Sequence, residues 1–267
     1  MPATNKFLDT FTDADGTLLT AHAPDSQVGI PYTFASTGVE IRGNKAQYSH
    51  AAITSGRIAI SGADVALAVG DDVWSDITFA TTVAGSSSVL EAALLIHQSA
   101  VAFEEYAVRA RYSDATGQIS IGADDDGITW GAGIIGTASA PSGQIRLGAT
   151  IVSATELNVW VEPYGGGTRS QIGTFTAAND YSANNRIGFG MYVEAPSGET
   201  LTVSHENFTA ETPSNKCFDT TYTCQSADAP SVTQVTEPSV PAATQIEPAK
   251  RIEVDSSCIA AGTLVDY

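Results

Sequence analysis

The stretch ELNVWV at residues 156–161 places apolar side chains at alternate positions, which is typical of a strand buried on one face. The same alternation recurs before residue 211, and turn sequences rich in Gly, Asp, Asn and Ser separate the alternating stretches. The clearest of these stretches lie at 57–60, 75–83, 106–112, 118–121, 144–149, 186–193 and 201–208. Roughly a dozen antiparallel strands over residues 1–210 predict an all-β fold, a two-sheet antiparallel jelly-roll sandwich.

One segment, SVLEAALLIH at 88–97, fits either a short helix or a strand. Strand-like stretches lie on both sides of it in the sequence. We therefore expect its second half to be a buried strand.

The charge of the chain limits the partners that it can bind. Its 267 residues include 30 Asp and Glu against 12 Lys and Arg, for a formal net charge of −18. Nucleic acid and anionic membrane surfaces would repel such a chain, and no apolar run is long enough for a transmembrane helix. We therefore expect neither a nucleic-acid partner nor a membrane.

The composition changes after residue 210. Residues 211–267 contain five prolines, one glycine and all three cysteines, and proline at this spacing disfavours helices and central strands. A disordered tail is one interpretation, but scattered Ile, Val, Leu and Tyr residues make the segment more apolar than a solvated tail needs. We favour an extended, Pro-rich C-terminal arm at 211–267 that orders against another surface, beside a sandwich domain at 1–210.

The N-terminal stretch FLDTFTDADGTLLTAHAPD, residues 7–25, resembles the first strand and loop of concanavalin A-like (laminin G-type) jelly-roll domains of bacteriophage structural proteins. In that pattern Asp-x-Asp-Gly-Thr-x-Leu precedes a His-x-Pro-Asp turn and an Ile/Val-x-Gly-Asn strand, for which EIRGN stands at 40–44. The family's closing strand ends in Asn-Phe beside the first strand, and VSHENFT at 203–209 suits that role. The resemblance covers about residues 7–210; the Gly-Trp that often follows the turn is replaced by Ser26-Gln27.

The resemblance implies a setting on a virus particle. We expect a non-enzymatic virion structural protein of a bacteriophage, displayed on the particle surface as a capsid decoration or a tail or fibre component and anchored by its arm. Its partners would be other virion proteins and copies of itself, for example as a trimer. The composition is typical of an extracellular β-protein without an export signal, so we expect synthesis in the host cytoplasm without a signal peptide.

The alternative function is a carbohydrate-binding, lectin-like module that recognises host surface glycans. Exposed aromatic rings would stack on sugars. The aromatic residues considered are Trp74, Trp130, Trp160, Tyr164 and Tyr181, and the candidates we select are Trp130, Tyr164 and Tyr181. Trp130 is favoured because it follows an acidic turn and precedes a glycine. Trp160 lies within a predicted strand, and we expect it in the core.

Two acidic turns are candidate calcium sites. Asp13 and Asp15 form half of an EF-hand-like loop, but position twelve of that loop is a proline, and Asp124 and Asp126 lie in a second acidic turn. The competing interpretation is that these aspartates cap backbone N–H groups in solvated turns. No other cofactor is expected.

The sequence lacks the pattern of a glycoside hydrolase. Related glucanases place acids on one strand as Glu-x-Asp-x-x-Glu, and the only near match, at 253–258, ends in Cys258. The adjacent Glu104 and Glu105 would point to opposite faces of a strand. We therefore expect no enzymatic activity, although carboxylates distant in sequence can still meet in space.

The three cysteines allow two interpretations. Cys217 and Cys224 can close a short disulfide loop, which would leave Cys258 free or available for an intermolecular bond. Assembly in a cytoplasm would instead keep all three as thiols. Both alternatives stay open.

Overall fold

The structure is a computed structural model, and it describes residues 4–27, 32–51, 57–83, 88–99, 104–125, 133–194 and 199–213. The chain divides into two units, Pro2–Pro213 and the remainder. All described residues belong to the first unit. Of the predicted arm, everything after residue 213 lies outside the described residues.

Fifteen strands are present in the described ranges. They are β1 (Thr4–Asp9), β2 (Phe34–Ala35), β3 (Val39–Ile41), β4 (Ala46–Ala51), β5 (Arg57–Asp64), β6 (Asp72–Thr81), β7 (Val89–Ile96), β8 (Tyr106–Ser113), β9 (Gln118–Asp124), β10 (Ile134–Ser139), β11 (Gln144–Ser153), β12 (Glu156–Glu162), β13 (Ser170–Thr176), β14 (Arg186–Glu194) and β15 (Thr200–Thr212). Two short 3-10 turns, Leu19–Ala21 and Asp25–Gln27, follow β1.

The strands form two antiparallel sheets. In the described part of the chain the first sheet has eight strands in the order β13-β12-β11-β6-β15-β4-β3, with β1 paired to β15, and the second has seven in the order β10-β9-β8-β7-β14-β5-β2. The long strand β15 pairs with β6 along one side, and with β4 and then β1 along the other. The neighbour of a strand is therefore often far from it in sequence.

The predicted fold class, an all-β sandwich of two antiparallel sheets, is confirmed. Strand β7 occupies nearly the whole of the ambiguous segment at 88–97, and it is buried. The closing strand β15 pairs with β1, as the resemblance implied. Within the described ranges, no helix has the length and apolar character needed to cross a membrane.

The core lies between the sheets and contains an aromatic cluster. Phe189 of β14 makes edge-to-face contacts with Phe11, Tyr32 and Phe208, at ring-centroid distances of 5.4–5.9 Å. His205 of β15 stacks on the same ring at 4.7 Å and is fully buried. These rings come from both sheets, and they therefore join the sheets near the N-terminal strand β1.

The expectation that Trp160 lies in the core is wrong. Along β12 the core residues are Leu157, Val159 and Val161. Side chains of a strand alternate between its faces, so Trp160 points to the opposite side, where it is partly exposed.

The N-terminal motif is a hydrogen-bonded cluster around Asp9, which is fully buried. Its carboxylate accepts hydrogen bonds from the Phe11 amide (2.8 Å) and the Tyr32 hydroxyl (2.6 Å), and His22 Nε2 lies 2.9 Å from Oδ1. Burial lowers the pKa of His22, but the hydrogen bond to Asp9 and the charges of Asp9 and Asp13 raise it by more, so the net shift is upward. The motif therefore fixes the path of the chain between β1 and the core.

Candidate functional site

The candidate site lies on the outer face of the first sheet, by which we mean the side that points away from the core. Strand register places Trp74 of β6 opposite Gly148 of β11, and Gly148 opposite Trp160 of β12. These three residues therefore share the outer face. Trp74 is only 3% exposed although it does not belong to the core, so other side chains must cover it.

Gly148 makes room for the ring of Trp74. A Cβ atom at position 148 would come within 2.1 Å of that ring, so only glycine lets the indole lie over the β11 backbone. Arg146, two residues earlier on β11, holds its guanidinium carbon 5.4 Å from the centre of the Trp74 ring. Trp74 is thus packed between a bare stretch of backbone and a cation.

Arg169 covers both tryptophans. Its guanidinium carbon lies 4.7 Å from the centre of the Trp74 ring and 4.1 Å from that of Trp160. The same group donates to both carboxylate oxygens of Asp72, at 3.1 and 3.2 Å, and to the Thr150 hydroxyl at 2.8 Å. Trp160 Nε1 also donates to Thr150 Oγ1, at 2.9 Å. The Arg169 guanidinium, which is paired with Asp72, therefore links side chains of β6, β11 and β12 on the outer face.

The loop between β12 and β13 continues this cover. Gly165, Gly166 and Gly167 all have positive φ, at 78°, 103° and 154°, which favours glycine at this turn. The turn holds Tyr164 over β15, where the Tyr164 hydroxyl donates to Glu206 and accepts from Lys45 Nζ at 2.9 Å. Burial and the hydrogen bond to Glu206 raise the pKa of Tyr164, so its hydroxyl remains a donor.

Two carboxylates lie side by side near Tyr164. Asp76 of β6 is opposite Glu206 of β15 in the strand register, so both are on the outer face. Asp76 accepts hydrogen bonds from the Gly165 amide at 3.2 Å and from Asn207 Nδ2 at 2.9 Å, and it is 1% exposed. Asn207 has φ of 48° at a bulge in β15, which aims its amide at Asp76. This is a carboxylate pair that no linear motif revealed.

Uncharged polar side chains flank the aromatic centre on both sides. On one side Asn158 Oδ1 accepts hydrogen bonds from Gln171 and Thr174, at 2.9 and 2.8 Å. On the other, Ser49 accepts a hydrogen bond from Gln47 at 2.9 Å, and its hydroxyl lies 2.8 Å from that of Thr202. Sugars offer C–H faces and rings of hydroxyl groups, so aromatic rings flanked by hydroxyls and amides suit them chemically.

Of the predicted carbohydrate-binding residues, Tyr164 and Tyr181 lie within the described ranges, and these two are not at the same site. Tyr164 lies on the outer face of the first sheet. Tyr181 instead packs against the core, with its ring 5.6 Å from that of Tyr106 and its amide donating to the Tyr106 hydroxyl at 2.8 Å. Trp130 lies outside the described residues.

Three of the four aspartates predicted as calcium ligands, Asp13, Asp15 and Asp124, lie within the described residues. Asp13 accepts from the Ala14 amide at 2.8 Å and Asp15 from the Gly43 amide at 2.7 Å, as turn-capping residues do. Asp124 ends β9 and lies 3.6 Å from Arg109. Asp126 lies outside the described residues. In the described part of the chain no group of three or more His, Cys, Asp or Glu side chains could hold a metal ion, and calcium binding stays a prediction.

The cysteines Cys217, Cys224 and Cys258 also lie outside the described residues. Their predicted disulfide or thiol state stays a prediction.

Most of the side chains at this site were not predicted from the sequence. The missed residues are Asp72, Asp76, Arg146, Arg169 and Glu206. The sequence of strand β6, DVWSDIT at 72–78, gives a signal for part of this set. Asp72, Trp74 and Asp76 alternate with the core residues Val73 and Ile77, so they lie on the opposite face of the strand. An aromatic ring between two acids on the face opposite the core indicates a candidate binding surface.

Comparisons with known proteins support the fold. No protein-family model matches the sequence, and no curated protein matches it. A solved structure from work on endo-acting O-glycanases, which prominent members of the human gut microbiota express to initiate mucin breakdown, matches with a TM-score of 0.50 and 9% identity, over 79% of this chain and 100% of that chain.

Two further solved structures match with lower TM-scores. The CBM2 module of the evolved Dit of Lactobacillus casei BL23 phage J-1 has a TM-score of 0.44 and 11% identity, over 79% of this chain and 96% of its own. The carbohydrate-binding module CBM66 from Bacillus subtilis has a TM-score of 0.38 and 12% identity, over 76% and 96%. The likeness at a TM-score of 0.50 shows a shared fold, a concanavalin A-like β-sandwich.

Proposed function

We propose that this domain binds carbohydrate on the outer face of its first sheet. The observation that carries the proposal is the outer face itself, where Trp160 and Tyr164 are partly exposed between rows of uncharged hydrogen-bonding side chains. The similar structure with a TM-score of 0.50 comes from work on glycanases, and we extend that ligand class, glycans, to this chain as part of the proposal.

Binding without hydrolysis is the expected activity. Glycoside hydrolysis needs two carboxyl groups that a substrate can reach. Asp76 is 1% exposed, and both of its oxygens accept hydrogen bonds from Gly165 and Asn207. Glu206 is engaged by Tyr164 and lies 3.0 Å from Lys45. Release of reducing ends from a bound glycan would contradict this proposal and favour a hydrolase.

Replacing Trp160 with alanine is expected to weaken glycan binding roughly tenfold or more, because the variant loses the partly exposed ring at the centre of the face. The measurement is binding to an immobilised glycan array, followed by calorimetric titration of the best ligand.

Two controls make this experiment specific. Tyr192→Ala removes a partly exposed ring from β14, on the far side of the sandwich, and it should leave affinity unchanged. Trp130→Ala tests the ring favoured from the sequence alone. A loss with Trp130→Ala and none with Trp160→Ala would contradict the proposed site, and an array without any bound glycan would contradict the proposed function.

We also propose that the protein acts on the surface of a bacteriophage particle, as the N-terminal resemblance implies. The arm would anchor it to other virion proteins or to copies of itself. Because β15 runs to Thr212, deletion of residues 214–267 leaves every described strand intact. That deletion is expected to abolish binding to virions that lack the protein, and undiminished binding would rule out the arm as anchor.

A further inference from the structure

The cations around the aromatic centre of the outer face are already paired with acids. Arg169 binds Asp72 through two hydrogen bonds, at 3.1 and 3.2 Å. Arg146 Nε lies 3.6 Å from a Glu162 oxygen, and burial is moderate for both side chains.

The third cation is paired in the same way. Lys45 Nζ lies 3.0 Å from Glu206. Burial lowers the pKa of Lys45, but its hydrogen bonds to Tyr164 and Glu206 raise it by more, so the charge pair persists at neutral pH. Asp76 adds a fourth carboxylate, which is held by amide groups and not by a cation. Four carboxylates thus stand against three cations on a chain of net charge −18.

The site also extends across the sheet. The register gives a row of outer-face residues that face one another on five neighbouring strands: Gln171 on β13, Trp160 on β12, Gly148 on β11, Trp74 on β6 and Thr209 on β15. Strands in a sheet are about 4.8 Å apart, so this row across five strands is about 19 Å long. A row of that length is suited to a chain of several sugars, and the side chains at its two ends, Gln171 and Thr209, carry an amide and a hydroxyl.

We propose that the ligand of this face is an uncharged oligosaccharide whose chain runs across the strands, and that acidic glycans are excluded. The inference rests on the proposed carbohydrate-binding function. An acidic sugar would meet a surplus of carboxylates, and each neighbouring cation already has a partner, so the sugar acid would be desolvated without a counter-ion. Hydroxyl groups can instead hydrogen-bond to the exposed amides and hydroxyls of the row without meeting that penalty.

The test is affinity electrophoresis of the full chain in gels that contain one polysaccharide at a time. Galactomannan and mixed-linkage β-glucan serve as uncharged probes, and alginate and hyaluronan as acidic ones. We expect retardation by an uncharged polymer that Trp160→Ala removes, and no retardation by the acidic polymers even at low salt, where charge attraction is strongest. Retardation by the acidic polymers alone, abolished by Trp160→Ala, would overturn the inference and leave carbohydrate binding intact. No retardation by either set would overturn both.

A charge variant that gains binding to an acidic polysaccharide tests the role of the ion pairs. Glu162→Gln removes the partner of Arg146 and should produce retardation by alginate that the wild-type protein lacks. Glu156→Gln is the matched control, because it removes the same charge from the same face of β12 at a residue that has no ion pair in the described part of the chain. Equal behaviour of the two variants in alginate would contradict the role given to the ion pairs.

Discussion

Replacing Asp9 with alanine is expected to lower the free energy of unfolding by about 3–5 kcal/mol, because three buried hydrogen-bonding groups would lose their common acceptor. The change would strip the acceptor from the Phe11 amide, the Tyr32 hydroxyl and His22, which is itself only 3% exposed. Stabilities of single domains are about 5–15 kcal/mol, so the loss is a large share of the total. Urea denaturation followed by tryptophan fluorescence measures it.

Two further variants serve as a milder substitution and a surface control for this prediction. Asp9→Asn keeps the shape and part of the acceptor capacity, so its loss should be smaller and still measurable if the alanine variant fails to fold. Glu40→Ala breaks an exposed ion pair with Arg42 and should cost less than about 1 kcal/mol. If Asp9→Ala cost no more than Glu40→Ala, the N-terminal cluster would not be what anchors the first strand.

Lowering the pH from 7 to about 3 is expected to cost the domain on the order of 4 kcal/mol through His205 alone. Burial lowers the pKa of His205 to about 3, although its hydrogen bond to the Gly190 carbonyl raises it. The unfolded chain takes up a proton near pH 6.5, whereas the folded chain does so only near pH 3. Below pH 6.5 the unfolded state therefore binds more protons, and stability falls as the pH falls through that range.

The His205 contribution is isolated by comparison with His205→Phe, which keeps an aromatic ring against Phe189 and cannot titrate. The measurement is the free energy of unfolding of both proteins at several pH values between 3 and 7. The variant should have the smaller slope, and parallel curves would contradict the assignment. His22 acts in the opposite sense: its pKa is raised, so its contribution is fully present below pH 6.5 and is lost as the pH rises through the folded value.

Strand alternation was sufficient to predict the fold class, because a half-buried strand repeats every two residues whatever its partner. The same rule, applied to β12, would also have placed Trp160 correctly: Leu157, Val159 and Val161 form the core stripe, and Trp160 alternates with them. Trp160 was expected in the core because it lies within a predicted strand, but a position within a strand does not by itself say which face the residue occupies.

The candidate site could not be predicted from the sequence because strand order decides which residues meet. Asp76 and Asn207 are hydrogen-bonded although 131 positions separate them. Arg169 lies in a loop, yet it stacks on two tryptophans from β6 and β12. Nothing local in the sequence indicates that β15 lies beside β6 or that the loop at 163–169 folds over both.

The glycine-rich stretch at 165–167 illustrates the difference between a local and a tertiary role. It forms a turn between two antiparallel strands, and neither a lysine nor a helix follows it as in a phosphate-binding loop. Its tertiary role is the hydrogen bond from Gly165 to Asp76, which needs the neighbouring strand in place.

The most direct test of glycan binding at the outer face uses the three tryptophans as reporters. Their indole N–H signals in an isotope-labelled sample can be assigned with single Trp→Phe variants and followed by nuclear magnetic resonance while the best array ligand is added. The signals of Trp160 and Trp74 should shift in proportion to saturation, while that of Trp130 stays in place. Saturable binding that moves the Trp130 signal and leaves Trp74 and Trp160 unchanged would contradict the assignment of the site.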